Sequence, residues 1–309
     1  MNTVTTLLCW LSVLFPAGHP PSHSGWYSDI VFFKGGYFAV GTDGRIDRIS
    51  PSGEKMRVDS SCRYELRCAL SNDEILLAAG DHGTILFSFD GRSFYRAKSG
   101  TEKTINGIAS KDGLFIAGAD SGTILASIDG KTWNSFSVAV RGNIASVSAN
   151  PSFFIGVSDS GDIIKSVDGR NWKLQHFNKE YNGYIKYTKF RKIVASPYSI
   201  IIIGTHDDGS PSILTSSLGN VWAERAPIYK DDRGAVQSLT ATPNGITYDP
   251  DRDQFVLVCD NGGLLTLPSC PECSKYAKIS EADLHALICT NNSLVIVGDE
   301  YSVFTERLN

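Results

Sequence analysis

No stretch of this chain approaches the roughly 18 to 20 consecutive apolar residues that a membrane-spanning helix needs. Charge is sparse and nearly balanced: 29 Lys and Arg face 33 Asp and Glu among 309 residues, a formal net charge of −4. No broad field of either sign is therefore available to hold nucleic acid or an anionic membrane. Methionine numbers only 2, and long Ala/Glu/Lys runs are scarce, which argues against helices. Cys270-x-x-Cys273 has no second CxxC or His pair at zinc-ligand spacing, so it is half of a four-ligand set. No metal and no cofactor is expected.

What is abundant is Ile, Val, Phe, Gly, Ser and Asp, the composition of strands and turns. It is organised around Gly118-Ala119-Asp120-Ser121-Gly122-Thr123-Ile124-Leu125-Ala126-Ser127-Ile128-Asp129-Gly130-Lys131-Thr132-Trp133. Close copies precede and follow, and the steps from Asp90 to Asp129 and from Asp129 to Asp168 are both 39 residues. A fixed period near 40 residues with several short strands per repeat predicts a β-propeller. Seven nearly continuous apolar runs mark its second strands: Tyr37–Gly41, Ile75–Gly80, Leu114–Gly118, Phe153–Gly156, Ile200–Gly204, Phe255–Cys259 and Leu294–Gly298. Such runs suit strands buried on both faces between neighbouring blades.

The expected fold is an all-β, seven-bladed propeller of four-stranded antiparallel blades in one domain, 1–309. The blades run about 26–62, 63–100, 101–140, 141–183, 184–243, 244–280 and 281–309. Fourth strands are expected to start at the aromatic after each Asp turn: Phe94, Trp133, Trp172 and Trp222. The seventh unit stops short of a fourth strand, and residues 8–15 are the economical donor of it, since an open blade edge leaves backbone groups unpaired. The rival reading makes Thr6–Phe15 the apolar core of a signal peptide, although residues 1–5 carry no Lys or Arg. The first reading implies an intracellular protein and the second an exported one, in which disulfides at 62–68 or 270–273 become plausible.

Ser127-x-Asp129-Gly130-x-Thr132-Trp133 and Ser166-x-Asp168-Gly169-x-x-Trp172 resemble the Asp-box, or BNR, repeat of sialidases and of photosystem II stability/assembly-factor-like propellers. Ser88-x-Asp90-Gly91-x-Ser93-Phe94 is a third copy. The family's usual spacing has one more residue between Asp and aromatic, so these are shortened variants. Blade five has lost the Asp, at Ser216-Ser217-Leu218-Gly219, and blade six replaces the turn altogether. The box is read as structural: the carboxylate accepts bonds from its own turn, Gly permits the backbone, and the aromatic packs between sheets. Resemblance to sialidases would imply an arginine cluster and an early Arg-Ile-Pro motif; Arg45-Ile46-Asp47 is the nearest echo, and Arg67 and Arg191 near first strands are too scattered. No catalytic residue is assigned.

Candidate binding residues come from the turns after the second strands: Asp43, Asp81, Asp120, Asp159, Asp207, Asp208, Asp260 and Asp299, with His82 and His206 beside them. Asp-x-Gly is good hairpin chemistry in its own right, but seven such turns on one face would also make an acidic ring at the channel mouth. Two long connections, 176–189 and 226–245, fall on that same face, and the first interleaves Tyr181, Tyr184, Lys186 and Lys189. The preferred reading is a monomeric, non-catalytic scaffold that binds a protein or peptide there. The alternative is a carbohydrate-active protein, either a glycan-binding module or a divergent glycoside hydrolase.

Overall fold

A computed structural model of the chain describes residues 25–177, 180–181, 184–185, 188–231, 233–268, 274–290 and 293–307. Short strands and tight turns alternate throughout. Blade 1 comprises β1 (Tyr27–Phe33), β2 (Gly36–Gly41), β3 (Ile46–Ile49) and β4 (Lys55–Val58). Blade 2 comprises β5 (Leu66–Ser71), β6 (Leu76–Gly80), β7 (Ile85–Ser88) and β8 (Tyr95–Arg96). Blade 3 comprises β9 (Ile105–Lys111), β10 (Leu114–Ala119), β11 (Thr123–Ser127) and β12 (Asn134–Ser137). Blade 4 comprises β13 (Ile144–Ala149), β14 (Phe154–Ser158), β15 (Asp162–Ser166) and β16 (Lys173–His176).

A small hairpin follows, β17 (Glu180–Tyr181) with β18 (Tyr184–Ile185). Blade 5 comprises β19 (Thr188–Ala195), β20 (Ile200–His206), β21 (Pro211–Ser216) and β22 (Ala223–Glu224). A second hairpin, β23 (Ile228–Lys230) with β24 (Val236–Ser238), leads to blade 6: β25 (Pro243–Asp249), β26 (Gln254–Cys259), β27 (Gly263–Leu267) and β28 (Lys275–Lys278). Blade 7 contributes β29 (Leu284–Thr290), β30 (Ser293–Gly298) and β31 (Val303–Arg307). The first strands touch one another in turn, β29 returning to β1, so they line the axis of a closed ring.

Each second strand is buried on both faces because successive side chains point to opposite neighbours. Leu76 and Ala78 of β6 enter the layer shared with blade 1, while Leu77 and Ala79 enter the layer shared with blade 3. Ile201 and Ile203 of β20 face blade 6, and Ile200 and Ile202 face blade 4. The core is thus divided among the described residues into seven apolar layers, one per blade interface.

The seam between blades 7 and 1 carries its own polar fastening. Trp26 bridges to Asp299, Tyr37 and Thr290 share a 2.7 Å hydrogen bond, and Tyr301 and Thr42 share another. Arg45 lies 4.0 Å from the Tyr301 ring and pairs with buried Asp47, which also accepts a bond from the Tyr27 hydroxyl. Residues 8–15, expected as the closing strand, lie outside the described residues, as do Cys270 and Cys273.

Two expectations need correction. Fourth strands begin one residue beyond the aromatic, because Trp133 and Trp172 end the turn with Nε1 donating to the Gly130 and Gly169 carbonyls at 3.0 and 3.2 Å. Connection 226–245, expected as a long loop, carries strands of its own: β23 pairs in parallel with β28, so the hairpin extends blade 6 outward to six strands.

Candidate functional site

In every blade the register between first and second strand slips by one residue at the same place, leaving one first-strand residue unpaired. These bulge residues are Ser28, Arg67, Asn106, Ala145, Arg191, Asn244 and His285. A bulge bends its strand and re-aims a side chain, and here all seven line one open cavity of about 630 Å³ at the channel mouth. The next residue in each strand, Asp29, Cys68, Gly107, Ser146, Lys192, Gly245 and Ala286, lines a narrower cavity of about 160 Å³.

Four of the bulge side chains reach back to the turns that follow their own second strands, while Arg191 Nη1 donates to Asn244 Oδ1 at 3.0 Å. Arg67 Nε donates to Asp81 at 2.7 Å, and Asn106 Nδ2 donates to Asp120 at 3.0 Å. Asn244 Nδ2 donates to Asp260 at 2.6 Å, while His285 Nε2 lies 2.7 Å from Asp299. Blade 4 has Ala145 at the bulge, and Asn143 takes over, its backbone N–H and Nδ2 reaching Asp159 at 3.0 and 3.1 Å. The expected acidic ring is therefore a mixed ring, with each of these five carboxylates accepting a bond from its own blade.

Asp43, Asp207 and Asp208 stand apart from that set. Thr42, not Asp43, holds the place of Asp81: Thr42 N–H donates to Trp26 O as Asp81 N–H donates to Glu65 O. Asp43 instead takes the left-handed position (φ 55°) that His82 takes in blade 2 (φ 53°). The Asp208 carboxylate accepts bonds from Ser210, and Asp207 is exposed beside it. His82 is exposed with its ring 4.5 Å from that of Tyr64. His206 is buried, with Nδ1 3.1 Å from Thr188 Oγ1 and Nε2 2.7 Å from Glu224, so it belongs to the packing of blade 5 and not to the rim. Tyr181 and Tyr184 are backbone partners in the β17–β18 hairpin, Lys189 is exposed on β19, and Lys186 lies outside the described residues.

Inside the mouth, Asp29 accepts hydrogen bonds from the Ile30 and Ala69 N–H groups, both at 2.9 Å. Burial raises its pKa, opposed by the charge of Lys192 and by those two donors. The other lining groups include Glu65, Thr104 and the three asparagines, with buried Phe190 and with Trp26 as the exposed aromatic at the edge.

On the opposite face, three turns share one pattern. Ser88, Ser127 and Ser166 each accept the N–H of Gly91, Gly130 and Gly169 at 2.9 Å. Asp90, Asp129 and Asp168 each accept two N–H groups from the residues that follow. The N–H groups of Ser93, Thr132 and Asn171 in particular hold those carboxyls below the usual carboxylate range. The glycines (φ 68 to 70°) sit where a Cβ would strike Phe38, Ile75 and Leu114 of the preceding blade. These bonds fasten the turns to their blades.

Cys62 and Cys68 are separate thiols, and burial pushes the Cys68 and Cys259 thiols up to about 12. Among the described residues, no helix is long and apolar enough to cross a membrane.

The bulge ring escaped the sequence reading, though its trace was present. Arg67 and Asp81, Asn106 and Asp120, and His285 and Asp299 are all 14 residues apart. Arg67 and Arg191, too scattered in the sequence to count as a cluster, line the same mouth.

No family model matches this chain, and neither does any curated protein. Among solved structures it is similar to the WD40 β-propeller domain of Doa1, at 14% identity over 93% of this chain and 96% of that one, TM-score 0.68. It is similar to the propeller YCF48 bound to D1 peptide, at 13% identity over 95% and 96% of the two chains, TM-score 0.67. The Pan2 WD40 domain of Neurospora crassa matches at 8% identity over 91% and 88%, TM-score 0.67. At such identities the likeness shows the fold alone: an all-β, seven-bladed propeller.

Proposed function

We propose that this protein is a non-catalytic scaffold that binds a protein or peptide segment at the channel mouth. The observation that carries this reading is the convergence of seven bulge residues on one open, polar cavity. Arg67, Asn106, Asn244 and His285 are already held in place by the turns behind them, so little of their side-chain freedom is lost on binding. Trp26 supplies an amphipathic anchor at the edge, and Arg191 an exposed guanidinium. The structural likeness to a propeller solved with a bound peptide supports the same class. We read the turns at Asp90, Asp129 and Asp168 as shortened Asp-box variants that serve the scaffold.

The test is selection of a displayed peptide library against the full chain, followed by affinity measurement with Trp26→Ala and Arg191→Ala. Selected peptides are expected to bind about tenfold more weakly to each variant. Peptides indifferent to both substitutions, or a chain that binds only oligosaccharides on a glycan array, would sink the proposal.

A further inference from the structure

Below the mouth, the first strands carry one anion and one cation on opposite walls of the channel. The residue after the bulge is small in five blades: Cys68, Gly107, Ser146, Gly245 and Ala286. Blade 1 instead places Asp29 there, and blade 5 places Lys192. Three blades apart is the greatest separation that a closed ring of seven allows. Both side chains are partly buried and line the same narrow cavity of about 160 Å³.

The two charges act on each other without touching. The charge of Lys192 is felt at Asp29, yet among the described residues the Lys192 ammonium makes no hydrogen bond or ion pair. Asp29 is held from behind, Oδ1 by the Ile30 N–H and Oδ2 by the Ala69 N–H, and each oxygen keeps a second lone pair. The neighbouring polar groups turn to the backbone. Ser146 Oγ accepts the Ile193 N–H at 3.3 Å, Ser148 Oγ accepts the Ala195 N–H at 3.0 Å, and Cys68 Sγ lies 3.7 Å from Ala79 O. Lys192 lines both the mouth and the neck, whereas Asp29 lines only the neck. A group descending from the mouth therefore passes the ammonium before it reaches the carboxylate.

We propose that this neck is the anchor subsite of the mouth and takes a neutral primary carboxamide, the end of a glutamine or asparagine side chain. The proposal rests on the reading of the mouth as a peptide-binding surface. A carboxamide has a carbonyl oxygen that accepts and an NH₂ that donates, so one group serves Lys192 and Asp29 together. An incoming carboxylate is attracted by Lys192 and repelled by Asp29, and an incoming ammonium meets the reverse. Either one leaves a charge uncompensated at a partly buried site. An apolar side chain would strip water from both charges and return no bond. The neck is smaller than pockets that hold whole ligands, and suits one side chain hung from a segment in the 630 Å³ mouth.

The experiment takes peptides selected on the full chain and replaces each of their residues in turn. One position is expected to require glutamine or asparagine, and Glu, Lys or Met there should weaken binding about tenfold. Lys192→Met leaves Asp29 as the charge in the neck, so the lysine peptide should overtake the glutamine peptide. Lys192→Arg should keep the preference for carboxamide. An unchanged thermal midpoint, and binding still weakened by Trp26→Ala, would show that each variant is folded and binds at the mouth. If Lys192→Met does not fold, the peptide series on the wild-type chain and on Lys192→Arg decides the matter. A mouth-bound peptide with no such position, or with an acidic or basic side chain required there, overturns the carboxamide subsite and leaves the scaffold reading standing. So does an order of preference that folded Lys192→Met leaves unchanged. Peptides indifferent to Trp26 and Arg191, or no selected peptide at all, remove both readings.

Discussion

Asn106 and Asn244 make the same two hydrogen bonds in different blades. Each Nδ2 donates to the turn aspartate of its own blade, Asp120 at 3.0 Å and Asp260 at 2.6 Å. Each also donates to the first-strand carbonyl of the next blade, Ile144 at 3.0 Å and Leu284 at 3.1 Å. One bulge amide thereby ties the lip of the channel both to its own turn and to its neighbour.

Asn106→Ala and Asn244→Ala should each lower unfolding free energy by about 1–2 kcal/mol, since two partly buried acceptors lose a donor at once. The two losses should add, because the sites share no partner. Urea denaturation of the single and double variants measures this. No loss at either site would mean that water replaces the amide without cost.

Asp162 ties Arg141 and His176 together on blade 4. Burial alone would raise its pKa, but the Arg141 side chain and backbone N–H, followed by His176, hold the carboxyl below its ordinary 3.8. A depressed folded-state pKa gives stability that is fully present above about pH 4 and lost as pH falls through the folded value. Asp162→Asn should therefore lower stability at neutral pH and flatten its decline in acid. Thermal midpoints of both proteins between neutral pH and pH 2 test it; parallel curves would refute the assignment.

Gly130→Ala and Gly113→Ala separate strain from collision. Both residues have positive φ, 70° and 75°. A Cβ at Gly130 would lie 2.9 Å from Ile75 Cδ1, whereas one at Gly113 meets nothing within 4 Å. Gly113→Ala is expected to cost about 1 kcal/mol from backbone strain alone, and Gly130→Ala about 2–4 kcal/mol. Equal costs would show that blade 2 yields to the new methyl.

At the seam of blades 7 and 1, Asp47 is fully buried and relies on Arg45 and the Tyr27 hydroxyl. Arg45→Ala leaves a buried carboxylate without its cation and should cost about 3–5 kcal/mol. Tyr27→Phe removes one donor and should cost about 1–3 kcal/mol. Denaturant unfolding ranks them. The reverse order would place the fastening in the hydroxyl and not in the ion pair.

The sequence alone determined the ring of seven repeats and its layered core. Those properties follow from local pattern: a repeat near 40 residues, apolar runs such as Ile200–Gly204 that only a doubly covered strand accommodates, and Ser-x-Asp-Gly turns whose bonds lie within a few residues. Tertiary structure alone decided the site. Which first-strand residue becomes the bulge depends on pairing register, and a one-residue slip turns a side chain from blade interface to channel. Hence Thr42 and not Asp43 matches Asp81, and Arg67 and Arg191 share one cavity only once the ring has closed. The destination of the β23–β24 hairpin was equally hidden, because its parallel pairing with β28 joins segments far apart in the chain.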